Sequence, residues 1–123
     1  MSKIITLTTD FGTKDGYAGA VKGVISSSNP KAQIVDISHQ VPAGNILAGA
    51  FCLLNSCKFY PEGTIHLAVV DPGVGGSRKP ILIKTARQFY IGPDNGTFTL
   101  AVQKEKVNTI IHLNESKYFL GEL

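Results

Sequence analysis

A mostly parallel α/β sheet with crossover helices on both faces is the fold class this sequence predicts, and three observations predict it. Short β-branched-rich runs alternate with segments of helical period, in the order strand, helix, strand, helix, strand. Three loops that follow strands are polar and glycine-rich: DFGTKDG, DPGVGGSR and GPDNG. The length of 123 residues suits one domain, 1–123, able to bury a real core. The expected arrangement is Rossmann-like, with three layers.

Ile4 to Thr9 is an apolar and β-branched run that stops at Asp10, the pattern of a buried strand. From Tyr17, the positions Tyr17, Ala20, Val21, Val24 and Ile25 form an i, i+3, i+4, i+7, i+8 stripe, predicting a helix packed on the sheet. Asn29-Pro30 ends it, because a residue before proline is pushed out of the α region. QIVDI, residues 33–37, predicts a second strand, and Asn45 is an N-cap for a second helix with Ile46, Leu47, Ala50, Phe51 and Leu54 as its buried stripe. Thr64 to Val70 predicts a third strand. Residues 81–85 and 88–91 predict two more, 97–104 a short helix and 107–113 a last strand.

The totals exclude several function classes. A net charge of +3 with scattered basic residues does not imply nucleic acid as a partner. No apolar run reaches the ~20 residues that span a bilayer, and the N-terminus lacks a signal-peptide pattern. The expectation is a cytoplasmic protein with no membrane partner. Cys52 and Cys57 lack metal-ligand spacing and read as reduced core thiols. No His/Cys cluster has metal spacing and no serine or cysteine nucleophile elbow occurs, so no metal is expected.

In open α/β sheets, ligands bind beyond the carboxyl ends of the strands. Asp10 and Asp71 end two strands, where a carboxylate can accept hydrogen bonds from ribose hydroxyls or hold a water; alone, each reads equally as a turn residue. GVGGS matches neither G-x-G-x-x-G nor the P-loop, and an Asp-Pro before it would repel a phosphate. Its glycines suit close passage of backbone past a small ligand. Arg78 is placed to reach back to Asp71 or a substrate, or to pair elsewhere on the surface. Asn95 can face a ligand, although the turn in GPDNG accounts for it equally. Among the histidines, His66 is expected in or beside the core, whereas His39 reads as exposed enough to take part in a site.

TDFGTKDGYAGAVKG, VVDPGVGGSR and YIGPDNG together resemble, in order and spacing, the S-adenosyl-L-methionine (SAM) hydrolases, or SAM hydroxide adenosyltransferases, which are related to the fluorinase and chlorinase. The resemblance covers essentially the whole chain. It implies cleavage of SAM by water to adenosine and methionine, with SAM as substrate and no cofactor. It also implies that Asp71 and Arg78 belong to a water-handling trio completed by a histidine. Asp10 then holds the ribose hydroxyls, Asp15 makes a second sugar-side contact, and Asn95 joins the substrate-binding set. An aromatic residue stands at the Asp71 position in the fluorinase, so Asp71 implies water rather than halide as nucleophile.

The resemblance further implies that this chain is the N-terminal domain only. The trio's histidine and a β-rich second domain are expected beyond Leu123, with the full-length form a homotrimer and this chain alone a poor catalyst. A non-catalytic nucleoside-binding module, a halogenase-like adenosyltransferase and an oligomerisation domain are the alternatives.

Overall fold

The structure, a computed structural model, describes residues 3–72 and 79–113. Its elements are β1 (Ile4–Thr9), α1 (Tyr17–Ser28), β2 (Gln33–Ser38), α2 (Ile46–Ser56) running into a 3-10 turn (Cys57–Phe59), β3 (Ile65–Val69), β4 (Pro80–Thr85), β5 (Phe89–Pro93), α3 (Thr99–Val102) and β6 (Val107–His112). They build one six-stranded sheet in the order β2-β1-β3-β5-β4-β6. The first four strands of that order are mutually parallel, and β4 runs against both its neighbours. The reversal follows from the three-residue connection Ala86–Gln88, too short for a crossover.

Helices lie on both faces. Thr6, His66, Tyr90 and Ile83 are register neighbours on one face, where Leu53 of α2 and Ala101 of α3 complete the core with Cys57, Ala68, Ile81 and Phe98. Asp36 is the register neighbour of Leu7 on the opposite face, and α1 reaches it through Lys22.

Two predicted stripes differ from the buried ones. In α1 the buried residue is Ala18, with Tyr17 and Val24 exposed. In α2 the inward side is Gly49, Ala50 and Leu53, continuing to Cys57, while Leu47 is 62% and Phe51 48% exposed. Nearly every residue of α2 is apolar or small, so hydropathy could not choose its phase. Shape chose it: Gly49 fits against Val70, where even a Cβ would lie 3.1 Å from Val70 Cγ2. The Asn45 cap is as expected, its Oδ1 accepting from the Ala48 amide at 2.9 Å. The predicted helix at 97–104 is a single turn, Thr99–Val102. Both cysteines are free, and burial pushes the Cys57 thiol up to about 12, so it is inert.

A polar cluster is sealed under this core. His66 is fully buried, with its Nδ1 2.7 Å from Thr6 Oγ1, and its ring lies against Tyr60 and Tyr90. The Tyr90 hydroxyl donates to Glu105 at 2.9 Å, and the Gln88 amide donates to the Cys57 and Tyr60 carbonyls. Burial pushes the His66 pKa down from 6.5 to about 4. Protonation of His66 therefore opposes folding: its contribution is complete above pH 6.5 and is lost as pH falls through about 4. Urea unfolding is expected to lose roughly 3 kcal/mol from this group once it is fully protonated. A His66→Gln variant should show a correspondingly shallower acid loss between pH 7 and pH 4; equal losses in both proteins would clear His66 as the cause.

Candidate functional site at the carboxyl ends of the parallel strands

Parallel pairing brings the ends of β1, β2, β3 and β5 to one edge of the sheet, and hydrogen bonds lace the loops there together. The Asp10 amide donates to Val69 O at 3.3 Å, extending the β1–β3 ladder into the loop. On the other side, Gly12 N donates to His39 O at 2.7 Å and Val41 N to Thr9 O at 3.3 Å. Gly12 has φ +71°, a conformation that suits glycine at this tight departure from the strand.

The Asp10 carboxylate is half-buried, and its Oδ2 accepts from the Gly44 amide at 2.7 Å. Gly44 in turn lies against the residue after Asp71. At φ +67°, an added Cβ there would sit 3.0 Å from both Cα and Cβ of Pro72. The order Asp10, Gly44, Pro72 thus locks the β1, β2 and β3 loops into one surface. Gly44→Ala is expected to cost about 1–3 kcal/mol, from the left-handed backbone and the Pro72 contact together. Thermal melting would check it, and an unchanged midpoint would mean the three loops are not interlocked in this way.

Asn95 fixes the fourth loop. Its Nδ2 donates to Val70 O at 2.8 Å, and its Oδ1 accepts from the Thr97 amide at 3.1 Å and from the Thr97 hydroxyl. The amide therefore holds the end of β3 in place directly before Asp71. Asp94 N donates to Lys79 O at 3.0 Å, which ties Lys79, directly before β4, to the loop after β5. Arg78 lies outside the described residues. Asp71 is half-buried at the rim and Asp15 is exposed in the loop before α1.

His39 is only 6% exposed, which corrects the expectation of an exposed loop histidine. Its Nε2 is 2.8 Å from Asp36 Oδ1 and its Nδ1 2.7 Å from Thr9 Oγ1. Asp36 is held below the usual carboxylate range, chiefly by its hydrogen bond from Lys22 and then by His39. The sequence carried one signal for this pair, the three-residue spacing of Asp36 and His39 across the end of β2. Gly44 had none, because its partner is remote in sequence. Among the described residues, no group of three or more His, Cys, Asp or Glu side chains is arranged to hold a metal ion. No helix among them is long and apolar enough to cross a membrane.

The sequence profile described as the SAM hydroxide adenosyltransferase N-terminal domain matches residues 5–122. The chain belongs to this family. An (R)-S-adenosyl-L-methionine hydrolase from Methanocaldococcus jannaschii is 46% identical over 120 residues, covering 94% of this chain and 45% of that protein. A fluorinase from an Actinoplanes species is more distant, at 27% identity over 97% of this chain and 48% of its own length. The crystal structure of an uncharacterized conserved protein from Thermotoga maritima superimposes with a TM-score of 0.89 at 38% identity, covering 94% of this chain and 45% of that one. This SAM hydroxide adenosyltransferase N-terminal domain thus spans about half the length of the relatives it matches.

Proposed function

We propose that the protein acts in the hydrolysis of SAM to adenosine and L-methionine, by attack of water or hydroxide on the ribose C5′. The observation that carries this reading is the interlocked edge, on which Asp10 and Asp71 end neighbouring parallel strands and are joined through Gly44 and Pro72. The name of the Methanocaldococcus relative supplies the substrate. In the reaction a bond forms between the water oxygen and C5′ while the C5′–S bond breaks. The bonding pair stays on sulfur, which loses its positive charge as methionine leaves, and the water gives up one proton.

A sulfonium is already a good leaving group, so the reading needs no metal and no cofactor. The protein's task is to orient and desolvate the nucleophile, and orientation alone can contribute several kcal/mol. In this reading Asp71 aligns the water and takes its proton, and Arg78 favours the anionic form. Asp10 receives the ribose hydroxyls, Asp15 adds a sugar-side contact and Asn95 lines the substrate side while bracing Val70. A cytoplasmic protein that meets neither membrane nor nucleic acid fits a soluble small-molecule substrate. A homotrimeric full-length form fits the exposed Tyr17, Leu47 and Phe51, which offer apolar surface to a neighbouring subunit.

The test is incubation of a full-length version, extended to the length of the Methanocaldococcus relative, with SAM. Adenosine and methionine are expected in equal amounts. Persistent SAM would overturn the hydrolase reading, and 5′-halo-adenosine formed in the presence of chloride would replace it with a halogenase. Adenosine binding without turnover would leave a nucleoside-binding module.

A further inference from the structure

Asp10 can serve a ligand only if the loop that begins with it is held still, and the structure holds that loop from beneath. The chain of contacts starts at the Phe11 amide, which donates to Thr9 Oγ1 at 3.2 Å. Thr9 Oγ1 is 2.7 Å from His39 Nδ1, His39 Nε2 is 2.8 Å from Asp36 Oδ1, and Asp36 Oδ2 is 2.6 Å from Lys22 Nζ. Chemistry fixes the polarity at the Asp36 end. A carboxylate only accepts, so His39 Nε2 carries a proton and donates it. In the neutral ring Nδ1 is then the acceptor, and the Thr9 hydroxyl donates to it. The Thr9 oxygen keeps lone pairs for the Phe11 amide. With the ring neutral, every donor in the chain points toward Asp36.

The ends of this chain matter as much as its middle. Phe11 is at the start of the 10–16 loop, and Lys22 is on α1, the helix into which that loop leads. Asp36 therefore holds both ends of the loop, one through His39 and Thr9 and the other through Lys22. His39 adds its own carbonyl, which accepts from Gly12 N at 2.7 Å. Thr9 and His39 are nearly fully buried, whereas Asp36 and Lys22 are about two-fifths exposed, so the brace runs from the solvent into the underside of the site.

We propose that His39, fixed by Asp36, is a positioning residue that orders the Asp10–Gly12 backbone and so sets the preference of this site for a ligand bearing ribose hydroxyls. The proposal rests on Asp10 as the ribose contact, and it names a residue that acts on the ligand only through Thr9 and the loop.

Two measurements on the 123-residue chain test it. The first needs no ligand: amide hydrogen exchange by NMR. His39→Ala is expected to speed exchange at Phe11 and Gly12 at least tenfold while leaving Leu7 and Ala68 unchanged. Asp36→Asn, made on a partly exposed side chain, should do the same to a smaller extent. Unchanged Phe11 and Gly12 exchange in both variants would overturn the brace.

The second is calorimetric titration with adenosine and with 2′,3′-dideoxyadenosine. The wild-type protein is expected to prefer adenosine, and His39→Ala to lose roughly ten- to hundredfold of that preference, the scale of a hydrogen bond to a charged group. His39→Asn, whose amide oxygen can replace Nδ1 toward Thr9, should retain most of it. His39→Gln, which reaches Asp36 but not Thr9, should not. A merely structural histidine would weaken both ligands alike and leave the ratio unchanged, which overturns the proposal. A wild-type protein with no preference sinks Asp10 as the ribose contact, and with it the ligand half of the proposal, while the exchange data still decide the brace.

Discussion

Replacing Asp71 with asparagine is expected to lower SAM turnover by about 10²–10⁴-fold in the full-length protein, the range typical for loss of a positioned general base. Asparagine has nearly the same shape but cannot take a proton, so the reacting water keeps its own. The local backbone should survive the change. Val70, directly before, is fully buried and its carbonyl is held by Asn95 Nδ2 at 2.8 Å, while Pro72, directly after, lies against Gly44. Adenosine affinity and the melting temperature are therefore expected to stay near wild type while kcat falls. Asp10→Ala should show the opposite pattern, losing adenosine affinity first. An Asp71→Asn enzyme with wild-type kcat would remove the water-handling role and leave these loops as structure.

Much of this site was legible in the sequence because its parts are local. A β-branched run ending on a carboxylate and a glycine-rich loop announces both the strand and the loop at its carboxyl end. β1 and the Asn45 cap lie where those signals put them. The phase of α2 was not legible, since Leu47 and Phe51 are as apolar as Leu53, and only the fit of Gly49 under Val70 separates the two sides. The role of His39 was hidden for a related reason. Its burial depends on Thr9, thirty residues earlier, and no local pattern encodes that contact. Gly44 carries no local signal that sets it apart from other loop glycines, although its neighbours are Asp10 and Pro72. The candidate edge was visible one loop at a time, and the contacts that join the loops required the fold.

Gly92→Ala is expected to be the most damaging single-methyl change in the described part of the protein. Gly92 reads in the sequence as the first residue of a turn, GPDNG, but it is a buried strand position in β5 with an ordinary negative-side backbone. Its constraint is closeness of approach rather than conformation. An added Cβ would lie 2.9 Å from the Phe98 ring and at overlap distance from the carbonyl oxygen of Ala68 in the neighbouring strand. The ring can turn aside, but a carbonyl in the β3–β5 ladder cannot move without breaking that ladder. The expected cost is about 4 kcal/mol or more, a large share of the 5–15 kcal/mol that typically holds such a domain together. Trimming the ring should not rescue it: Phe98→Ala opens a cavity worth about 3 kcal/mol itself and leaves the Ala68 contact in place. Gly19→Ala is the matched control, because an added Cβ on the exposed side of α1 meets nothing within 4 Å. It should stabilise by about 0.5–1 kcal/mol through helix propensity. Urea unfolding of the two variants should therefore move in opposite directions. Because β5 leads directly into Asn95, and Asn95 fixes Val70 before Asp71, a Gly92→Ala protein that still folds should also lose adenosine affinity; a folded variant with wild-type stability and affinity would show that the β3–β5 contact does not set the edge.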